Sequence, residues 1–229
     1  MISGIDAVAF DIDGTLYPNS ALYRRMIPFF LTNVRFMLAF GEVRREIRRW
    51  QEAHPGEAHE DFFTWQASLM AGRLGGPVEA MKTTIRERIY EGWQPVFAKV
   101  RPFPHIHACF TAFRDAGLKL GILSDFLPSQ KGSVWGVAPL CDVVMGSEET
   151  GALKPSPVPF LALADALGVS PDRMLYVGNS VSSDVQGASA VGMKTACVVH
   201  PLALTAGYRI PGADISFSSY RKLTRNVLK

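Results

Sequence analysis

Six short apolar runs constrain the fold of this 229-residue chain more than any other feature. They are hydrophobic throughout, which is typical of strands buried on both faces of a parallel sheet, and most of them stop at Gly, Asp or Ser. The predicted strands are Ala7–Ile12, Leu118–Leu123, Val143–Met145, Met174–Val177, Thr195–Val199 and the weaker Ile215–Phe217. Helical patterns closed by glycine lie between them, at Ile106–Ala116, Ser156–Leu167 and Ser183–Val191. This alternation predicts an α/β fold with a doubly wound, Rossmann-like parallel sheet.

One long segment interrupts the alternation. About a hundred residues separate the first two strands and carry no strand pattern, which is too long for a loop in a compact domain. Helices are predicted there instead, at roughly Ser20–Glu52, Glu60–Leu74 and Pro77–Glu91. The pattern predicts an inserted α-helical cap at 17–102 and a catalytic core formed by 1–16 and 103–229, with the proline-containing Gln94–Pro104 as the returning linker.

Composition places the chain in a broad class. Hydrophobic residues make up 48% and charged residues 20%, the balance of an ordinary globular protein. A net charge of +3 is too small to indicate a nucleic-acid partner. Cys109, Cys141 and Cys197 match neither zinc nor disulfide spacing and are read as reduced thiols. With no basic leader and no apolar stretch long enough for a bilayer, we expect a cytoplasmic protein without a membrane partner.

Polar residues stand where the predicted strands end. They are Asp11, Asp13 and Thr15 for the first strand, Ser124 and Asp125 for the second, Lys154 for the third, and Asn179 and Asp184 for the fourth. Ligands of open parallel sheets bind beyond the carboxyl ends of the strands, so these side chains should converge on one crevice.

The chemistry of this set favours phosphoryl transfer. One carboxylate, Asp11, can act as nucleophile while a second, Asp13, serves as general acid and then base. A phosphate dianion beside two carboxylates needs cations, which Lys154 and an oxygen-bound Mg²⁺ would supply. Ser124 and the backbone N–H groups of Ile12 and Asp13 can donate to the phosphate oxygens. The segment Asp11–Thr15 is not the start of an EF-hand calcium loop, because its glycine comes too early and the closing glutamate is absent.

These residues lie in four motifs that occur in a familiar order. The motifs are AFDIDGTLY, GILSD, GALKPSPVPFLALADALGVSP and LYVGNSVSSDVQGASAVGM. Together they make the chain resemble the haloacid dehalogenase superfamily, in its phosphatase branch with a helical cap after the first motif, similar to phosphoglycolate phosphatases. The resemblance implies a Mg²⁺-dependent phosphatase that passes through an aspartyl-phosphate on Asp11.

The resemblance also implies individual roles. Asp11 would be the nucleophile and a metal ligand, and Asp13 would be the acid and base and offer its backbone carbonyl to the metal. The implied supporting roles are Thr15 beside Asp13, Ser124 and Asp125 at the substrate, Lys154 at the nucleophile and phosphoryl group, and Asn179 and Asp184 at the metal. The family usually has Gly-Asp where this chain has Gly178-Asn179, so we expect weaker metal binding.

Several alternatives remain open at this point. The substrate could be a sugar phosphate, phosphoglycolate or a nucleotide. A haloacid dehalogenase also uses an aspartate nucleophile but needs neither Asp13 nor a metal, and a phosphomutase would need a phosphorylated effector. Asn179 could instead mark a weakly active or non-catalytic protein that binds phosphorylated ligands or a partner. Tyr17 and Asn19 are predicted substrate contacts, and one or two arginines of the first cap helices could reach the crevice.

Overall fold

A six-stranded parallel sheet forms the centre of the molecule. The computed structural model describes residues 4–229, so residues 1–3 of the predicted core segment lie outside the described part. The strands are β1 (Ala7–Phe10), β2 (Lys119–Ser124), β3 (Val143–Gly146), β4 (Met174–Gly178), β5 (Lys194–Val198) and β6 (Ile215–Phe217). Their order is β3-β2-β1-β4-β5-β6, with every neighbouring pair parallel. The predicted doubly wound sheet is confirmed, and the predicted strands differ from the observed ones only at their ends.

Helices occupy the connections. They are α1 (Asn19–Thr32), α2 (Val34–Ala53), α3 (Phe62–Leu74), α4 (Val78–Ile85), α5 (Gln94–Phe97), α6 (Ile106–Asp115), α7 (Pro157–Leu167), α8 (Gln186–Ala190), α9 (Pro201–Thr205) and α10 (Tyr220–Val227). π-Helical turns continue α4 through Arg86–Glu91 and precede α8 at Val181–Val185. The helices α1 to α5 all lie between β1 and β2, as the long strand-free segment predicts.

The sheet is buried on both faces, which explains its continuous apolar runs. Val8 and Phe10 of β1 point into the larger core cluster, where Phe10 stacks on Phe110 of α6 with ring centroids 4.2 Å apart. Ala7 and Ala9 point to the opposite face, into the smaller cluster around α7. Since all four side chains are fully buried, β1 shows no polar alternation.

The predicted helix Ser20–Glu52 is wrong as a single element. It breaks at Asn33 into α1 and α2, which are bent by 115°. The backbone of Asn33 leaves the helical region, at φ −129°, and its side-chain amide donates to the carbonyl of Phe29 at the end of α1. The side chain thus satisfies one of the carbonyl groups that the end of α1 leaves without an intrahelical partner, a signal that the apolar pattern hid. Within residues 4–229 no single helix is long and apolar enough to cross a membrane, although α1 and α2 taken together pass that test as a bent pair.

Candidate active site

Asp11 lies at the carboxyl end of β1 and is almost completely buried, with 4% of its surface exposed. Lys154 donates to its Oδ1 at 2.9 Å, and Thr15 donates to its Oδ2 at 2.8 Å. Burial raises the pKa of Asp11 to about 7, against the opposing charge of Lys154. The neighbouring carboxylates add to that rise. A further cation near Asp11 would therefore favour its ionised form.

Asp13 follows on the same loop and faces a different set of donors. Tyr17 donates to Oδ1 at 2.5 Å, while Ser124 and Lys131 donate to Oδ2 at 3.2 and 3.0 Å. The chain turns after Asp13 because Gly14 adopts φ 84°. A β-carbon at Gly14 would collide with the side chains of Asn19 and Asn179, so only glycine fits there.

Lys154 lies in the loop between β3 and α7. It is 2% exposed, and its Nζ contacts Asp11, Asp184 at 2.7 Å and the hydroxyl of Tyr176 at 3.0 Å. Burial alone would lower the pKa of Lys154, but the carboxylates of Asp11 and Asp184 hold it well above its usual value. The lysine therefore stays charged between the two acids.

Asp184 and Asn179 form the edge of the site beyond β4. Asp184 accepts hydrogen bonds at Oδ2 from the backbone N–H groups of Asn179 and Ser180, at 3.0 and 2.9 Å, while Oδ1 faces Lys154. This packing requires Gly178, since a β-carbon there would overlap the Asp184 side chain. Both oxygens of Asp184 are thus occupied by protein donors.

Oxygen atoms of the first and fourth motifs converge on one point. The Thr15 hydroxyl donates to Oδ2 of Asp11 and also lies 3.3 Å from Oδ1 of Asn179. The Asp11 carboxylate and the Asn179 amide oxygen therefore lie on either side of the same hydroxyl. Carboxylate and amide oxygens such as those of Asp11 and Asn179 suit a hard cation such as Mg²⁺. The part of the chain that the structure describes holds no group of three or more His, Cys, Asp or Glu side chains able to bind a metal. The residues fit a magnesium site, but a weakly charged one.

Two arginines of α2 pair with carboxylates in the loops after β2 and β3. Arg48 pairs with Asp125 at 2.7 Å, and the backbone N–H of Lys154 donates to the same carboxylate at 3.0 Å. Burial raises the pKa of Asp125, but the positive charges of Arg48 and Lys154 lower it by more. The pKa of Asp125 therefore lies below its usual value. Arg44 forms a buried salt bridge with Glu148, whose pKa is raised by burial against the charge of Arg44. Both pairs fix α2 to the loops after β2 and β3.

The structure brings most predicted site residues together. Asp11, Asp13, Ser124, Lys154, Asn179, Asp184 and the Ile12 backbone all lie at one edge of the sheet, as the strand-end pattern predicts. One expected contact is wrong, since Thr15 hydrogen-bonds to Asp11 and not to Asp13. Tyr17 is fully buried and donates to Asp13, and its predicted contact with substrate stays a prediction. Asp125 is paired with Arg48, and its predicted contact with substrate stays a prediction.

Sequence reasoning missed Lys131 and could not choose among the arginines. Lys131 lies 118 positions from Asp13, in a short turn after β2 that matches none of the four motifs. Arg44 is 104 positions from Glu148. The only sequence signal was a surplus of arginine on one helix, and surface charge explains such a surplus equally well.

Comparison with known proteins then decides the family. The model of the haloacid dehalogenase-like hydrolases matches residues 5–192. The chain belongs to this family. The resemblance seen in its four motifs is thereby confirmed.

Similar proteins span nearly the whole chain. A glyceraldehyde 3-phosphate phosphatase from Methanopyrus kandleri is 30% identical over 83% of this chain and 82% of its own length. A phosphoglycolate phosphatase from Salmonella paratyphi A is 27% identical over 97% and 92%. Among solved structures, a phosphatase of this family from Thermococcus onnurineus has a TM-score of 0.61 at 24% identity, covering 98% of both chains. The L-2-haloacid dehalogenase from Xanthobacter autotrophicus has a TM-score of 0.65 at 20% identity, again covering 98% of both. These two likenesses show the fold alone.

Proposed function

We propose that this protein hydrolyses small phosphomonoesters through a covalent aspartyl-phosphate on Asp11. The observation that carries the proposal is the environment of Asp11, which lies at the end of the central strand with one oxygen on Lys154 and the other on Thr15. A buried carboxylate beside a fixed cation is a positioned nucleophile, and phosphoryl transfer depends mainly on positioning and charge neutralisation.

Each side chain then has a task. Asp11 attacks phosphorus while Lys154 holds the carboxylate in place and opposes the charge of the phosphoryl group. Ser124 donates to a phosphate oxygen. Asp13 gives a proton to the leaving oxygen in the first step and takes one from water in the second. Thr15 fixes the orientation of Asp11 in both steps.

The proposed magnesium ligands are Asp11, the backbone carbonyl of Asp13 and Asn179. Asp184 supports them indirectly, because it accepts hydrogen bonds from Lys154 and from the backbone N–H of Asn179. When bound, Mg²⁺ would oppose the negative charge of the phosphate and of Asp11. Because Asn179 brings no charge and Asp184 is already paired, we expect a lower metal affinity than two free carboxylates would give.

The inserted segment 17–102 is proposed to act as a cap. Ser124 is fully buried and Asp11 nearly so, so a substrate can reach them only if part of the molecule moves. The α2 arginines that pair with Asp125 and Glu148 hold the closed arrangement. The catalytic core proposed with this cap is 1–16 and 103–229.

The relatives suggest the substrate class. Both are named as phosphatases of small metabolites, and sugar phosphates, phosphoglycolate, glyceraldehyde 3-phosphate and nucleotides form the natural panel. Dehalogenation is disfavoured because it leaves Asp13 and its three donors without a task. A binding protein without turnover is the second candidate, since Asn179 removes one charge from the metal site.

Hydrolysis of para-nitrophenyl phosphate, with Mg²⁺ or with EDTA, tests the proposal. We expect turnover by the wild type with Mg²⁺, loss of at least about a thousandfold in Asp11→Asn, and no change in the exposed control Asp165→Asn. Turnover that persists in Asp11→Asn would rule out the nucleophile. Folded wild type that binds phosphate but turns over no ester of the panel would support the binding protein.

A further inference from the structure

Lys131 is a second buried lysine at the site, and none of the four motifs contains it. Its side chain is fully enclosed, with Nζ 3.0 Å from Oδ2 of Asp13 and 3.4 Å from Oγ of Ser124. It therefore contacts both the proposed acid and the hydroxyl proposed to hold phosphate. A lysine is seldom buried without a partner, and here the partner belongs to the reaction centre.

The surroundings of Lys131 leave it one free donor. An ammonium carries three N–H groups, of which Asp13 and Ser124 take two. Around the remaining side of Nζ stand the rings of Phe97 and Phe126, with centroids at 5.0 and 5.7 Å. Aromatic faces favour a cation but accept no conventional hydrogen bond. Among residues 4–229, no oxygen or nitrogen atom accepts a hydrogen bond from the third N–H of Lys131.

Phe97 connects this lysine to the inserted helices. It belongs to α5, on the returning part of the inserted segment, whereas Phe126 belongs to the core. Movement of α5 would open the side of Nζ that Phe97 now covers. An anion that enters there would meet Lys131, whose Nζ lies 3.4 Å from Oγ of Ser124.

A strained turn positions Lys131 and Tyr17, which both donate to Asp13. Val134 and Trp135, just after Lys131, have φ values of 50° and 53°, a region that a β-branched residue such as valine rarely adopts. Trp135 donates to the carbonyl of Val100 at 2.8 Å, and its ring lies 5.2 Å from that of Tyr17. The turn thus positions two of the three donors to Asp13.

We infer that Lys131 is a phosphate-binding residue, which holds Asp13 in the closed resting enzyme and donates to a phosphoryl oxygen of the bound substrate. The inference rests on the proposed function and extends it to a residue outside the motifs. It also compensates for weaker metal binding, since Asn179 brings no charge to hold the cation whereas Lys131 supplies a positive charge beside the anion. Part of the charge neutralisation thus comes from the protein itself.

Binding of inorganic phosphate, measured by titration calorimetry with Mg²⁺ and with EDTA, tests the inference without any turnover. The variants are Lys131→Met, which matches the length of the stem between the two rings, Lys131→Arg, which keeps the charge, and the exposed control Lys99→Met. We expect phosphate affinity to fall about tenfold or more in Lys131→Met in both buffers, and much less in Lys131→Arg. Lys99→Met should bind as the wild type does.

Several results would overturn the inference. They are unchanged phosphate affinity in a folded Lys131→Met variant, equal losses in the Met and Arg variants, or no phosphate binding by the wild type. If Lys131→Met does not fold, Lys131→Gln makes the same comparison. Hydrolysis is a separate readout: loss of the Asp11 requirement defeats the proposed function, whereas phosphate binding that ignores Lys131 defeats only this inference.

Discussion

The buried pair of Arg44 and Glu148 makes a prediction about how the inserted helices are held. The two side chains are 7% and 0% exposed, and Arg44 also lies over the ring of Phe126 at 4.3 Å. Replacing Arg44 by methionine leaves the carboxylate of Glu148 buried without its counter-charge. Removing one partner of a buried ion pair costs about 3–5 kcal/mol, because the other charge keeps its desolvation penalty. For a chain of this size that corresponds to a fall in Tm of about 6–20 °C.

The loss should depend on pH in a defined direction. Burial already raises the pKa of Glu148 above 4.5, and removing the opposing arginine raises it further. A carboxyl group whose pKa is higher in the folded state binds more protons there, so stability falls as pH rises from 4.5 through the folded pKa. The deficit of Arg44→Met relative to the wild type should therefore be smaller near about pH 5 than near about pH 8.

Urea unfolding and thermal scans at both pH values measure the effect. The matched control is Arg45→Met, the next residue of α2, which is exposed and should change stability by less than about 0.5 kcal/mol. The double variant Arg44→Met/Glu148→Met should recover much of the loss, because it removes the buried charge altogether. A loss below about 1 kcal/mol in Arg44→Met, or one that is the same at both pH values, would refute this reasoning.

Three further predictions concern the site and the core. Asn179→Asp should lower the Mg²⁺ concentration needed for half-maximal hydrolysis about tenfold, because it adds a charged ligand. Ser182→Asp, at an exposed position nearby, should leave that concentration unchanged. Equal metal dependence in both variants would contradict the proposed ligand role of Asn179. Tyr17→Phe removes a donor to Asp13 and should lower kcat about tenfold with an unchanged circular dichroism spectrum, so an unaltered kcat would show that this hydrogen bond does not matter. Gly187→Ala places a β-carbon 2.5 Å from Cε2 of Phe160 and should lower the free energy of unfolding in urea by about 1–3 kcal/mol. Gly72→Ala in α3 meets no atom within 4 Å and should raise that free energy by up to about 1 kcal/mol. Changes of the same sign in the two variants would contradict the packing described.

The strands and most of the site could be predicted because they depend on local pattern. A strand buried on both faces is a continuous apolar run, and in a parallel sheet its carboxyl end marks the ligand edge, so Asp11, Ser124 and Lys154 could be placed before any coordinates. The break between α1 and α2 was missed because a single asparagine ends the helix inside an otherwise apolar pattern.

Contacts between distant segments were beyond the reach of sequence patterns. Lys131 meets Asp13, and Arg44 meets Glu148, only once the sheet and the inserted helices are in place. The role of Tyr17 depends in the same way on Trp135, which covers it from another loop. No spacing rule in a single sequence reports such pairs, since each member taken alone looks like an ordinary surface or core residue.

The aspartyl-phosphate itself is the most direct test of the account. Asp13→Asn removes the base of the second step, whereas the first step needs little acid when the leaving group is as weakly basic as para-nitrophenolate. The intermediate should therefore accumulate when this variant is mixed with para-nitrophenyl phosphate and quenched in acid. Mass spectrometry of the peptides is expected to find one phosphoryl group on Asp11, and none when Asp11→Asn is combined with Asp13→Asn. Phosphate found on another residue, or ester hydrolysis by the wild type with no trace of phosphoryl-Asp11 under any quench, would contradict the account.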